Sequence, residues 1–233
     1  MPSFPGRTLG GLSLIAGSLL VALAVGLRSG YDFFFPAQLA AYAADPTLVL
    51  VSSSAFVVGM AALWPGIVIL VQLIGASRPR LAWWGGALAI FGLFGRAFDA
   101  GADYLAFELV RVQGLAVATQ AVADSYSGYH IMRTASPAIM AGWIVLAIGA
   151  WRSKVLGLVP AIALGLMAAM PIGVLKGSHL GSQLAAAGLV IALVPLGVRT
   201  LREAGWPGWR RAAVGTLATV VIGAAFAVLG MLG

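Results

Sequence analysis

The stretch WWGGALAIFGLFGRAFDAGADYLAFELVR, residues 83–111, decides the fold of this chain. It begins as an apolar membrane helix and acquires Arg96, Asp99 and Asp103 before the apolar register ends. At about 100° per residue, the three charges fall within an arc of roughly 60°. The same face carries a stripe of small residues in the preceding turns, Gly85, Ala89 and Gly92, which we expect to pack against other helices. Because ionisable groups at membrane depth face a bundle interior or a cavity, we expect this helix to open onto a polar site.

The composition of the whole chain predicts a polytopic membrane protein. Of its 233 residues, 61% are hydrophobic and 9% are charged, with a mean hydropathy of +1.00. Apolar runs of about twenty residues recur from end to end, and the polar stretches between them are too short for a soluble domain. We therefore expect one transmembrane helical domain over residues 1–233. The lack of cysteine excludes disulfides, thiolate metal sites and a cysteine nucleophile.

Apolar periodicity predicts an all-α fold, a transmembrane bundle of about seven helices. The spans are expected near residues 8–27, 47–75, 83–111, 129–151, 155–175, 180–198 and 212–232. The segment 112–128 is too polar for a clear span and is interpreted as an external interfacial helix or a re-entrant segment. The loop 29–46 contains three consecutive phenylalanines and two tyrosines. It predicts either an interfacial aromatic belt or a lid over a cavity.

The basic residues predict the orientation of the bundle. Nine of the fourteen fall on one side of this layout: Arg7, Arg78, Arg80, Arg152, Lys154, Arg199, Arg202, Arg210 and Arg211. The positive-inside rule then gives a cytoplasmic amino terminus and an external carboxyl terminus. The net charge of +7 is thus interpreted as a topology signal, with the lipid bilayer as partner and no nucleic acid. Heavy use of Arg, Ala, Gly, Leu and Val is typical of a GC-rich genome, so a bacterial plasma membrane is the expected location.

The paired carboxylates of the deciding helix suggest acid chemistry. Asp99 and Asp103 lie one turn apart, and two carboxylates in a low-dielectric setting resist ionising together, so one keeps its proton near neutrality. Arg96 would hold Asp99 charged, which leaves Asp103 as a general acid. The roles of the two aspartates are exchangeable at this point. The structural alternative is an Arg96–Asp99 ion pair with Asp103 solvated at the helix end.

Other polar and aromatic residues are expected at the same depth, where ring faces stabilise a cationic intermediate or form an interfacial belt. The candidate substrate-binding residues are Phe98, Tyr104, Phe107, Tyr126, Tyr129, His130, Arg133, His179 and Gln183. We expect the charged helix to line one cavity with the two histidines. Their spacing matches no metal or haem site, so no metal and no cofactor is predicted. The last span has no lysine for a retinal Schiff base.

Three stretches carry a resemblance to small multi-span proteins of actinobacteria. They are TLGGLSLIAGSLLVALAVGL, QLAAYAADP and RPRLAWWGGALAIFGL, at residues 8–27, 38–46 and 78–93. In size, span number and buried carboxylates, the chain also looks like bacterial membrane-bound terpene cyclases of the drimentine type, which make indole sesquiterpenes. That resemblance implies proton-initiated cyclisation of a farnesyl-type chain. No diagnostic motif of the family matches residue by residue, so no catalytic residue is carried over.

Two functions from different classes follow. The first is an integral membrane terpene cyclase of isomerase or lyase type, with a lipophilic natural-product precursor as substrate and Arg96, Asp99 and Asp103 as catalytic residues. The second is a non-enzymatic membrane protein, either an immunity or resistance factor or a small-solute carrier, whose polar cluster is structural or binds a ligand. The sequence leaves the substrate and the oligomeric state open.

Overall fold

The structure is a computed structural model that describes residues 4–126, 128, 131–205, 223, 225, 226, 228 and 229, with the backbone alone for 131–136. Within these ranges the chain forms helices and turns and no strand, so the all-α prediction is confirmed. The helices are α1 Gly6–Leu27, α2 Phe35–Ala44, α3 Pro46–Gly75, α4 Pro79–Gln113, α5 Leu115–Ser125, α6 Ile131–Arg152, α7 Leu158–Gly165 with a 3-10 helix at Leu166–Ala169, and α8 Leu180–Ala204.

Four helices, α1, α3, α4 and α8, are long and apolar enough to cross a membrane. Residues 137–152 of α6 add a shorter apolar helix. These features identify a membrane protein with several spans. The predicted seventh span, 212–232, lies outside the described residues apart from five of its positions, so the count of seven and the orientation stay predictions.

Six helices close into a ring in which each packs on the next, in the order α1, α3, α4, α6, α7, α8 and back to α1. They share one apolar core, in which Leu63, Ile67, Leu146 and Leu193 are fully buried. α2 and α5 pack together and against α4 at the end of the bundle where α3 begins. Arg96, Asp99 and Asp103 lie toward that same end.

Small residues bring α4 and α6 close together, as the sequence predicts. A methyl group added to Gly142 would lie 2.6 Å from the backbone nitrogen of Ala89. Gly85 and Gly92 are buried at the same interface, where added methyl groups would meet side chains of α6. Close approach of backbones through small residues is the usual basis of helix association in membranes. The predicted packing role of this stripe is confirmed.

The predicted continuous span over residues 155–175 is wrong. Helix ends at Ala169, and residues 170–179, hereafter the 170–179 segment, run without helix to the start of α8. Pro171 pushes the preceding residue out of the helical region, and Met170 has an extended ψ of 123°. Gly173 then takes a φ of 113° and Leu175 a φ of 52°. The apolar run therefore contains a broken helix.

A second apolar cluster covers this end of the bundle. Phe107 of α4 is 1% exposed and stacks on Tyr42 of α2, with ring centroids 4.9 Å apart. Leu175 of the 170–179 segment is fully buried in the same cluster. The predicted interfacial or re-entrant segment 112–128 contains α5, whose 11 residues are too few to span a bilayer. It packs on α2 and α4 as part of this second apolar cluster, hereafter the cap.

Candidate functional site

Arg96 caps the broken helix. Its side chain is 8% exposed, and its guanidinium donates one hydrogen bond to the carbonyl of Met170, at 3.1 Å, and another to the carbonyl of Pro171. Carbonyls just beyond a helix end have no partner within the helix, and the helix dipole favours a cation there. Arg96 therefore stabilises a chain end that would otherwise leave polar groups unpaired inside the bundle.

The two aspartates bind backbone amides of the same segment. Asp99 Oδ2 accepts from the Gly173 nitrogen at 3.2 Å, and Asp103 Oδ1 accepts from the Leu175 nitrogen at 2.5 Å. A buried amide without a partner destabilises a fold by about 1–3 kcal/mol. The spacing of four residues on α4 thus matches alternate amides of a non-helical chain. Both carboxylates act as hydrogen-bond acceptors for the 170–179 segment.

The expected Arg96–Asp99 ion pair is not formed. The ion pairs that join two described residues lie at the surface, between Arg7 and Glu203, Arg111 and Glu108, and Arg199 and Glu203. The alternative in which Asp103 is simply solvated is also wrong, because Leu175 donates to it. The reason is that the broken helix offers several unpaired backbone groups, a partner that residue types alone do not reveal.

The other end of the 170–179 segment is fixed by backbone and hydroxyl contacts. Gly177 donates its amide to the carbonyl of Phe33 at 2.9 Å, and the Ser178 hydroxyl donates to the carbonyl of Val25 at 2.7 Å. His179 then caps α8, since its Nδ1 accepts from the Ser182 amide at 3.0 Å. The segment is therefore held by α1, α4 and the loop before α2.

A cavity of about 60 Å³ lies between α1, α3, α4 and the 170–179 segment. Five ionisable residues of the described part of the chain line it: Arg28, Arg96, Asp99, Asp103 and Lys176. A water molecule takes up about 30 Å³ in the liquid, so the space fits about two waters or a small ion. It does not fit a farnesyl-type chain.

Arg28 enters the cavity from the end of α1. Its Nη2 donates to the Ser53 hydroxyl, while its buried Nε has no hydrogen-bond partner among the described residues. Burial lowers the pKa of the Arg28 guanidinium, and the nearby Asp103 carboxylate opposes that shift. A buried donor without an acceptor is unusual, because such groups destabilise a fold. Arg28 therefore has a hydrogen-bond donor that a ligand in the cavity could use.

Lys176 lies within a cage of aromatic rings. Its Nζ is 5.1 Å from the ring centre of Phe33, 4.8 Å from that of Phe34 and 5.4 Å from that of Tyr126. An ammonium held over ring faces is stabilised by cation–π attraction. Two of the three consecutive phenylalanines therefore cover a cationic site, which favours the lid interpretation of loop 29–46 over the interfacial belt.

A second space, a groove of about 430 Å³, lies between α4, α5 and residues 172–176. Tyr126 lines it, together with aliphatic side chains of α4 and α5. Asp99, Gly173 and Lys176 line both this groove and the smaller cavity. These three residues form the partition between the two spaces.

Several predicted substrate-binding residues lie elsewhere. Phe107 is in the core of the cap, and Phe98 is 45% exposed and lines neither space. The Tyr104 hydroxyl is 2.8 Å from the Ser54 hydroxyl and joins α4 to α3. Gln183 is exposed, because α8 begins only at Leu180 and turns this residue outward. Phe98, Tyr104, Phe107 and Gln183 are thus not among the described residues that line the two spaces, and their assignment as substrate-binding residues stays a prediction.

His179 is not among the described residues that line the cavity with the two aspartates. His179 packs on Phe33, with ring centres 4.6 Å apart, and its Nδ1 is used as a helix cap. Among the described residues no group of three metal-ligating side chains occurs. Tyr129, His130 and the Arg133 side chain, three of the predicted binding residues, lie outside the description.

Sequence reasoning missed Arg28 and the backbone of the 170–179 segment. Five basic residues depart from the basic side of the predicted topology: Arg28, Arg96, Arg111, Arg133 and Lys176. Three of them line the cavity. Exceptions to the positive-inside bias were thus one signal for the site, and Pro171 with Gly173 inside an apolar run was the second.

Comparison of the chain with protein-family models, with curated proteins and with solved structures gives no match. The function is therefore argued from the chemistry of the site.

Proposed function

We propose that this chain is a small-solute carrier of a bacterial plasma membrane, which binds its solute in the cavity beside the 170–179 segment. The observation that carries the proposal is the broken helix, clamped by Arg96, Asp99 and Asp103 next to a polar cavity. Carriers use such interrupted helices because unwound backbone supplies polar groups at membrane depth.

The stability cost of this arrangement supports a functional reason for it. A continuous helix would satisfy its own backbone without any buried charge. Here Leu175 has a φ of 52°, in the left-handed region, where a residue with a side chain costs about 1–2 kcal/mol. Backbone strain and buried charges at one place are typical of binding sites.

Transport can be measured with the purified protein in lipid vesicles. The solutes are urea, and potassium nitrate or formate with valinomycin to carry the counter-ion, and uptake is followed by light scattering as the vesicles swell. We expect at least one solute to enter faster than into protein-free vesicles. Ala100→Phe should abolish that uptake by filling the cavity that Ala100 lines.

Gly101→Phe is the matched control, because Gly101 is exposed on the same helix with open space beside it. It should keep the uptake rate of the unmodified protein. Equal rates for protein-containing and protein-free vesicles with every solute would contradict the carrier.

The terpene cyclase is the second candidate, and the groove of about 430 Å³ is what favours it. A prenyl chain needs an apolar space with an acid and aromatic rings at its wall, and the groove supplies Asp99 and Tyr126. Asp103 does not line it. In this reading Asp99 donates the proton, which exchanges the roles favoured by the sequence.

Mass spectrometry of lipid extracts from cells given a farnesylated indole tests the cyclase. The proton added at initiation is lost at the end, so the product is a cyclised isomer of unchanged mass. Asp99→Asn should lower product formation by about 10²–10⁴, the usual range for a general acid. A lack of cyclised isomer with well-expressed protein would rule this candidate out.

A further inference from the structure

We infer that the cavity binds a small monovalent anion of the size of a halide, nitrate or formate, an inference that rests on the carrier function and names its solute class. The charges of the cavity support this. Among the described residues that line the cavity, three cationic residues, Arg28, Arg96 and Lys176, face two carboxylates, which leaves a formal excess of one positive charge in that set. Both carboxylates already accept backbone amides, so their capacity to neutralise the cations is partly used.

Hydrogen-bond donors are in excess as well. The buried Arg28 Nε has no partner among the described residues, and the Ser53 hydroxyl beside it accepts from the same guanidinium, which leaves its own proton to donate. Lys176 is held over ring faces rather than by a carboxylate among the described residues. Donors from α1, α3 and the 170–179 segment thus border one space that needs an acceptor.

A metal cation is a poor match for the same space. Cation sites need oxygen ligands that point inward. The carbonyls of Met170 and Pro171 are bound by Arg96, and the hydroxyls of Ser52 and Ser178 donate to carbonyls of α1. Arg28, Arg96 and Lys176, which line the same cavity, also repel a metal ion, whereas they attract an anion.

The volume of the cavity and the position of Lys176 between the cavity and the groove restrict the ligand further. About 60 Å³ admits an ion of one to four heavy atoms and excludes a sugar or an amino acid with a long side chain. Lys176 borders both the cavity and the groove, so it is the cation that an anion meets on passing between them. Its aromatic cage stabilises the ammonium when no anion is bound.

Anion binding can be measured by thermal unfolding of the full-length protein in detergent. Ionic strength is fixed with potassium gluconate, an anion too large for the cavity, which is replaced stepwise by chloride, nitrate or formate. We expect a saturable rise of the unfolding midpoint with the small anions, because a ligand that binds only the folded state stabilises it. Arg28→Gln should raise the half-saturation concentration tenfold or more, on the order of the loss of one charge-assisted hydrogen bond.

Arg111→Gln is the matched control, since Arg111 is paired with Glu108 on the exposed end of α4. It should leave the anion response unchanged. If Arg28→Gln does not fold, Lys176→Met provides the same test from the opposite wall of the cavity. Identical unfolding midpoints in gluconate and in every small anion would overturn the inference.

The two proposals fail in different ways. Swelling with urea but no anion effect would refute the anion site and leave the carrier. An anion effect that Arg28→Gln removes, without uptake of any solute, would refute the carrier and leave a membrane protein with an anion site.

Discussion

At the scale of single residues, Arg96, Asp99 and Asp103 pair with backbone groups of a chain segment more than seventy positions away. Arg96 donates hydrogen bonds to carbonyls, and the aspartates accept hydrogen bonds from amides. Each charge therefore has the sign that favours its backbone partner. The charges consequently stabilise the break in the helix, and they do so at the wall of the cavity.

Asp103→Ala tests this pairing. It leaves the Leu175 amide buried without an acceptor, so we expect the free energy of unfolding to fall by about 1–3 kcal/mol. Asp103→Asn keeps an acceptor oxygen and should lose less. Equilibrium unfolding in detergent with increasing sodium dodecyl sulfate measures both.

The exposed Asp124, which accepts from Gln120 at 2.7 Å within α5, offers a comparison site. Asp124→Ala should change stability by less than about 0.5 kcal/mol. Equal losses at the two aspartates would show that the bond to Leu175 contributes nothing.

The grouping of Arg96, Asp99 and Asp103 on one buried face followed from helical periodicity alone. Their partners did not, because backbone amides and carbonyls are the same at every position and only a broken helix exposes them. Arg28 was missed for a related reason. A basic residue after an apolar run is usually an interfacial anchor, and its burial depends on packing by distant segments.

At the scale of the elements, the broken helix depends on Pro171 and Gly173. The proline ends the helix, and the glycine adopts a φ of 113° that residues with a side chain rarely take. An added methyl group on Gly173 would meet its nearest neighbour, Lys176 Cε, at an ordinary 3.7 Å. The requirement for glycine at this position is therefore one of backbone conformation rather than of space.

Gly173→Ala should accordingly lower the free energy of unfolding by about 1–3 kcal/mol through backbone strain. Gly101→Ala, in the exposed and helical part of α4, should instead raise it by up to about 1 kcal/mol, since alanine favours helix. Thermal unfolding of the two variants in the same detergent measures the contrast. A stability gain in Gly173→Ala would mean that the segment does not need its positive φ.

The ends of the long helices were predictable, and the interruption was not. α3 and α4 both begin at a proline, Pro46 and Pro79, which is a favoured first helical residue. The run 155–175 reads as one span because hydrophobicity is continuous through it, and a proline alone is tolerated in membrane helices. The charges on α4 stabilise the interruption of the helix by binding its backbone groups. They are remote from residues 155–175 in sequence, so that run alone does not reveal them.

At the scale of the whole molecule, the two ends of the bundle differ in chemistry. The end opposite the site joins the start of α1 to the end of α8 through Arg7 and Glu203, with Arg199 beside them. Arg7 and Arg199 belong to the nine basic residues that the predicted topology places on one side of the membrane. The structure thus brings part of that basic set together, while the direction in the membrane stays a prediction of the positive-inside rule.

Reporter fusions test that direction. A chain truncated after Arg80 and fused to green fluorescent protein should fluoresce, because the turn between α3 and α4 is predicted to be cytoplasmic. A chain truncated after Asp45 and fused to alkaline phosphatase should be active, because the turn before α3 is predicted to be external. Phosphatase activity after Arg80 would reverse the predicted orientation.

The distance along the chain between α4 and the 170–179 segment has a consequence during synthesis. Arg96 and its partners Met170 and Pro171 are 74 and 75 residues apart. At about 5–20 residues per second, the ribosome makes the partners several seconds after α4. Arg96, Asp99 and Asp103 are therefore synthesised several seconds before the backbone groups that they bind, and the site is completed late. A nascent chain that stops before residue 170 exposes a charged face of α4 whose backbone partners are missing.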